Sequence, residues 1–196
     1  KLKAAVSVQR ALQDLPKIYA IEEYAAGNLG RLSQKLGLEK PYAGKALTNY
    51  AEQMREWPEL QTHKTVTAHV IRCLPRDFRI FARMEQGDQY PQAHLIGVLL
   101  RDEHLTELAG SGVVVVPASE KWNEIRKRFV PPYDPTKFPN KWRKLEADQP
   151  SRTLMAHLSH DSYSHIHYDS SQARTISVRE AARLQSFPDG FKFDCC

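Results

Sequence analysis

The sequence predicts an α+β fold: packed helices, a small sheet and irregular loops. Three observations lead there. Apolar residues recur every three to four positions in several capped segments along the chain. Runs that suit strands are short and do not alternate with helices in a βαβ rhythm. Twelve prolines and nine glycines interrupt the segments between them.

The elements follow in order. Ser7 stands as an N-cap; Val8, Leu12 and Leu15 share a helical face, and Pro16 ends it. Residues 24–62 are polar and carry Gly27, Gly30, Gly37, Pro41, Gly44 and Pro58, so a loop-rich connection is expected, with a short helix within 44–56. From Thr65 to Arg83, Val66, Val70, Ile71, Leu74, Phe78 and Phe81 fit a helical face broken at Pro75. Leu95, Val98, Leu99, Leu105 and Leu108 predict a helix over 93–109 despite Gly97. Val113–Val116 reads as a buried strand between Gly112 and Pro117. Ser119 caps a helix bearing Trp122, Ile125 and Phe129, closed by Pro131-Pro132. Five of the twelve prolines fall in 131–150, which predicts an irregular loop. Arg152–Ser159 and Tyr163–Tyr168 read as two strands joined at His160-Asp161-Ser162. Ser177 and Glu180 form a capping box for a helix over 177–186, and Pro188 stops it. No internal repeat or low-complexity tract is seen.

Length and composition set bounds. The 196 residues suffice for one large domain or one and a half small ones, and 41% hydrophobic with 26% charged residues is ordinary for a soluble protein. The longest apolar runs, near Leu95–Leu100 and Val113–Val116, fall far below the roughly 18 residues that span a bilayer. No secretory leader is visible, so a cytoplasmic protein is expected. Three cysteines, two of them adjacent, do not make a disulfide framework. A net charge of +5 and a pI near 9.1 suit a polyanionic partner without requiring one.

Several residue groups have the chemistry for function. Lys141-Trp142-Arg143-Lys144 and Arg152 form a basic set around an aromatic: arginine pairs with two acceptors on guanine, and lysine neutralises phosphate. Arg126-Lys127-Arg128 lies on a helix packed by Trp122, Ile125 and Phe129 and reads as a solvated face. Histidines 157, 160, 165 and 167 have no cysteine nearby and no zinc spacing, so no metal is expected. His165 and His167 alternate onto one strand face, as donors to nucleic acid on a rim or as a solvated surface. Arg179 and Arg183 share a helix face. A cation near a helix N-terminus opposes the macrodipole. Its presence implies a specific partner, Glu180 or another carboxylate. Gly110-Ser111-Gly112 precedes its strand, the reverse of a nucleotide-binding turn.

The string Arg174-Thr-Ile-Ser-Val-Arg-Glu-Ala-Ala-Arg-Leu-Gln-Ser-Phe-Pro-Asp189 closely resembles the ninth sequence block of the DNA cytosine-5 methyltransferases. Val8-Gln-Arg-Ala-Leu-Gln-Asp-Leu-Pro16 resembles the stretch that follows the eighth block of the same family, and the two occur in the family's order. Thr153-Leu154 is similar to the Thr-(Leu/Ile) pair that ends the variable part of the family's recognition domain, and it lies 21 residues before Arg174. Ile166-His167 likewise matches an Ile-His often seen before the ninth block.

The resemblance implies the C-terminal half of such an enzyme. Residues 1–23 would connect from the catalytic domain, 24–168 would form a small target-recognition domain, and 169–196 would hold the ninth-block strand and helix. The parent would transfer a methyl group from S-adenosylmethionine to C5 of a flipped cytosine in double-stranded DNA, in a bacterial or phage-borne restriction–modification setting. Lys141, Arg143, Lys144, Arg152, Thr153, Leu154, His157 and His167 would face DNA, the threonine touching backbone. Arg174, Ser177, Arg179, Glu180 and Arg183 would brace the recognition domain. Leu184 or Phe187 is then expected to be accessible, or covered in a dimer formed through the ninth-block face.

The family's Pro-Cys nucleophile, its Glu-Asn-Val glutamate, its Phe-x-Gly-x-Gly cofactor turn and its final Gly-Asn-(Ser/Ala)-Val-Pro block do not occur; Cys73 sits in Arg-Cys-Leu-Pro. The Rossmann-like catalytic domain is therefore expected to lie outside this chain. The chain alone is expected to be inactive, with no catalytic residue and no cofactor bound. A non-catalytic DNA-binding module, a degenerate remnant, one subunit of a split enzyme, and a plain protein-interaction domain are the alternatives.

Overall fold

The computed structural model describes residues 5–30, 32–154 and 162–193. Seven helices are seen among them: α1 Val8–Leu12, α2 Ala20–Ala25, α3 Asn49–Arg55, α4 Pro75–Arg83, α5 Tyr90–Gly110, α6 Glu120–Phe129 and α7 Val178–Leu184. Strands β1 Lys40–Pro41 and β2 Thr65–Val66 pair antiparallel, Lys40 opposite Val66. The result is a helix-dominated mixed fold with a two-stranded sheet, compatible with α+β. Among the described residues, no helix is long and apolar enough to cross a membrane.

The caps act where the sequence places them. The side chains of Ser7, Thr48, Ser119 and Ser177 accept backbone N–H bonds at the starts of α1, α3, α6 and α7. The helical face expected from Thr65 does not form ahead of Pro75: Thr65–Val66 is a strand and 67–74 is irregular, and Pro75 opens α4 in its first turn, where its missing N–H costs nothing. Gly97 is required inside α5: a Cβ there would meet the Phe129 carbonyl oxygen at 2.7 Å and Pro131 Cδ at 2.8 Å. The glycine thus lets α5 lie directly against the end of α6.

Two cores result. Phe78, Ile80 and Phe81 of α4 pack with Tyr90, Ala93 and Leu100 of α5, Ile125 and Phe129 of α6, and with Trp142 and Ile166. The second core joins Val8, Ala11, Leu12 and Leu15 to Val66, Leu145, Ile176 and Ala181, so the two ends of the chain pack on each other. Between the cores, extended segments are stitched by single bridges: Gln89 to Arg143, Lys144 to Ile166, and Ile166 to Thr175.

Three expectations need correction. Val113–Val116 is not a buried strand: Val114 is 82% and Val116 64% exposed, and among the described residues no segment forms a ladder with it. The segment 163–168 is not a regular strand. Ser162–Ser164 is a 3-10 turn, and only His165 to His167 runs extended against 174–176, with Ile176 N donating to His165 O at 3.0 Å and His167 N to Arg174 O at 2.9 Å. The first strand, over 152–159, is not present at 152–154; the rest of it, and the joining His160-Asp161, lie outside the described residues.

Candidate nucleic-acid interface

The basic segment 141–145 is extended and hydrogen-bonded on both sides. Arg143 N donates to Tyr163 O, Leu145 N to Ile166 O, and Lys144 N to Asp88 O, each at 2.9 Å. Extended backbone sends alternate side chains to opposite faces. Trp142 and Lys144 therefore turn inward, 1% and 0% exposed. Trp142 stacks on Tyr163 with ring centroids 4.5 Å apart. Lys141 and Arg143 turn outward, Arg143 pairing with Glu146 at 3.0 Å. Arg152 and Thr153 are exposed, and Leu154 packs half-buried against the second core.

Lys144 therefore leaves the DNA-facing set. Its Nζ donates to Phe81 O and to Ser170 Oγ, both at 2.7 Å, and ties the first core to the turn at 170. Burial lowers its pKa to about 8 against the opposing pull of Asp169 and Asp88. The expectation that it neutralises phosphate fails because its ammonium is already enclosed. His167 leaves the set for the same reason. It is buried, its Nδ1 accepts from Asp169 N at 3.1 Å, and its Nε2 lies 3.5 Å from Glu180 Oε1. Burial first, and the Arg174 guanidinium second, hold its pKa below the usual histidine range. His165 is buried as well, so the histidines do not form a solvated rim there. His157 and His160 lie outside the described residues. Among the described residues no group of three or more His, Cys, Asp or Glu side chains is placed to hold a metal ion.

The residues expected to brace the fold come together around α7. Arg174 grips Glu180 with two bonds, Nη1 to Oε2 at 2.6 Å and Nη2 to Oε1 at 2.7 Å. Glu180 Oε2 also accepts Ser177 N at 2.6 Å, closing the capping box. Burial works against the Glu180 charge, but Arg174 prevails and holds its pKa well below the ordinary range. Arg183 lies between two carboxylates: Nη1 bonds Asp14 Oδ1 at 2.5 Å, Nε bonds Asp189 Oδ1 at 2.9 Å, and a second short bond joins it to Asp189. Arg55 adds a bond to Asp14 at 3.0 Å, and Tyr42 donates to Asp189 at 2.6 Å. Among the described residues Arg179 pairs with no carboxylate; it donates to the carbonyls of Thr67, Pro188 and Phe191. The partner of the ninth-block arginines is thus a different group for each. Phe187, beyond α7, is 38% exposed, and Leu184 is partly buried.

Five members of this hub do not stand out in the sequence, Tyr42 among them. Asp14 and Asp189 lie 175 positions apart, and no periodicity links them. Arg55 falls in the short helix expected within 44–56, but nothing in that segment marks it as a partner of Asp14. His69 was unremarked, yet its Nε2 bonds Pro16 O at 2.6 Å and its Nδ1 bonds Ser177 Oγ at 2.9 Å. Since the Pro16 oxygen can only accept, Nε2 carries the proton and the Ser177 hydroxyl donates to Nδ1. The one available signal was that both aspartates fall inside the two family-like strings, Asp-Leu-Pro and Phe-Pro-Asp.

Comparison with known proteins gives the family. The family model for C-5 cytosine-specific DNA methylases matches residues 33–195. A protein of Oceanobacillus iheyensis named as a type II methyltransferase is 42% identical over 191 residues, which is 97% of this chain and 38% of that protein. The type II methyltransferase M.Bpa9945I of Bacillus paralicheniformis is 38% identical over 74 residues, covering 38% of this chain and 17% of the relative. M.AgeI of Thalassovita gelatinovora is 48% identical over 56 residues, 29% of this chain and 13% of the relative. The chain spans well under half the length of each of these relatives.

Proposed function

The chain belongs to the C-5 cytosine-specific DNA methylase family, and we propose that within it the chain is the target-recognition part, with the ninth block that braces it. In this reading the whole enzyme methylates C5 of a flipped cytosine in duplex DNA, with S-adenosylmethionine as methyl donor. Lys141 and Arg143 approach the duplex from one side of their extended segment. Arg152 and Thr153 add a phosphate-neutralising cation and a hydroxyl that positions the backbone.

The observation that supports it best is the sorting of the cations. Each arginine of the Arg174–Arg183 string is enclosed by acceptors, whereas Lys141, Arg143 and Arg152 reach the solvent. A family whose task is DNA recognition needs the second kind at its interface and the first kind to hold that interface rigid.

The chain's one Gly-x-Gly turn does not fit the methyl donor. The Gly110-Ser111-Gly112 turn closes the C-terminal end of α5, where carbonyls rather than N–H groups point outward. In this reading the nucleophile, the base-holding glutamate and the donor site stand on a Rossmann-like domain outside residues 1–196, and no step of methyl transfer is carried by the residues present. These residues hold DNA in register while the chemistry occurs elsewhere.

Titrating the full-length protein with labelled duplex over a salt series tests this reading. Arg152→Ala is expected to weaken binding to all sequences and to lower the slope of log affinity against log salt by about one. If Arg152→Ala and Thr153→Ala both leave affinity and slope unchanged, the interface is elsewhere.

A further inference from the structure

The segment 131–139 holds two aromatic rings in the open. Tyr133 is 42% and Phe138 50% exposed, and their rings meet edge to face at 5.9 Å. The turn that carries them is pinned. Asp134 Oδ1 accepts from Thr136 N at 2.9 Å and from Thr136 Oγ1 at 2.7 Å, and Lys137 N and Phe138 N both donate to Asp134 O at 3.2 Å. The core tyrosine Tyr90 holds both ends: its hydroxyl bonds Tyr133 O and Tyr133 N, each at 2.9 Å, and its backbone N–H reaches Pro139 O at 3.2 Å. Prolines 131, 132, 135 and 139 restrict the backbone further. Lys141 Nζ sits 3.6 Å from the Tyr133 ring centroid.

Rings left half in water gain little for the fold. Fixed in advance, they lose little freedom on meeting a partner. The cations beside them select the kind of partner. Lys141 Nζ lies near both rings, 3.6 Å from the Tyr133 centroid and 6.0 Å from that of Phe138, and Lys137 precedes Phe138 in the chain, while the side chain of the turn's one acid, Asp134, is taken up by Thr136. A polyanion that also offers flat apolar faces matches this combination.

We propose that this turn is a base-stacking contact: Phe138, backed by Tyr133, packs on a base displaced from its stack in duplex DNA, and Lys141 neutralises the adjoining phosphate. This rests on the DNA-recognition reading above. Aromatic side chains stack on any base, so the contact holds an opened duplex without reading its sequence.

The test uses the full-length protein and two labelled duplexes, one matched and one with a single mismatch that removes part of the unstacking cost. The wild type is expected to prefer the mismatched duplex. Phe138→Ala is expected to lose that preference and bind about tenfold more weakly, with an unchanged salt slope. Phe138→Trp retains the preference. Lys141→Gln keeps the preference but lowers the salt slope by about one. Thermal unfolding of Phe138→Ala should match the wild type, since half the ring is already in water. A Phe138→Ala protein that keeps the mismatch preference overturns the inference. If Arg152→Ala responds while Phe138→Ala is silent, this inference alone falls; if the wild type binds neither duplex, the DNA reading falls with it.

Discussion

The α7 hub and the segment 131–154 hold the same kind of side chain in opposite surroundings. Around α7, Arg174, Arg179 and Arg183 are at most 1% exposed, and each spends its fork on acceptors of the protein itself. Along 131–154, Lys141, Arg143 and Arg152 reach water. The difference teaches that a motif rich in arginine is not thereby an interface. A guanidinium enclosed by two carboxylates holds elements together; one left at the surface remains available to a phosphate. Lys144 is the instructive intermediate, a cation inside the exposed segment that behaves like a member of the hub.

The strongest way to break the comparison is Arg183→Ala. Removing one partner of a buried ionic group leaves the other uncompensated, at a cost of about 3–5 kcal/mol. Here Asp189 would be left with the Tyr42 hydroxyl and no cation beside it, while Asp14 would keep its bonds to Arg55. Urea unfolding should show that loss, and Arg183→Lys should not restore it, because one ammonium cannot reproduce the fork across both carboxylates. Arg152→Ala in the same assay should stay within about 0.5 kcal/mol of wild type. Similar losses for the two variants would erase the distinction between brace and interface.

How much of this was legible depends on range. Short-range rules found α1, α6 and α7, since a serine cap and a proline stop act over a few residues. Where a long-range partner decides, the same reading failed. Val113–Val116 has strand-forming residues but, among the described residues, no strand to pair with, so Val114 and Val116 stay exposed while Val115 packs against the first core. Arg183 depends on Asp14, brought beside it only by the fold. Lys144 and His167 carry polar side chains that suit a surface, and the family resemblance drew them to the interface. Yet Trp142, an aromatic two positions before Lys144, marks the inward face of an extended segment, and period-two alternation would have placed Lys144 beside it.

A second test probes the hub by pH. Burial, reinforced by the Arg174 guanidinium, lowers the His69 pKa from 6.5 to about 4 despite the Glu180 carboxylate nearby. The folded state therefore resists the proton that the unfolded chain accepts, and stability is complete above pH 6.5 and falls as pH drops toward 4. At 1.36 kcal/mol per unit, the fall is roughly 3 kcal/mol. His167, lowered in the same direction, adds to it. Glu180, depressed below the usual carboxylate range, extends the loss to lower pH. Urea midpoints at a series of pH values should trace this decline, and His69→Gln should flatten its upper part. A midpoint constant between pH 7 and pH 4.5 would mean that His69 meets solvent.

The smallest effect expected, and the most discriminating, belongs to Lys144→Ala. If Lys144 is part of the brace, the substitution leaves the Phe81 carbonyl and the Ser170 hydroxyl short of a donor, at a cost of about 1–3 kcal/mol. A pH signature should accompany the loss. With a folded pKa near 8 against 10.5 for the free group, the unfolded chain holds the proton between those values and the folded protein does not. Wild-type stability should therefore rise from about pH 8 toward pH 10, and the rise should vanish in Lys144→Ala. The DNA measurement then separates the two roles. Because the ammonium is enclosed, removing it should leave the salt slope of binding unchanged, whereas Arg152→Ala lowers it by about one. A stable Lys144→Ala protein whose salt slope falls would return this lysine to the interface, and would show that the segment opens toward DNA and exposes its inner face.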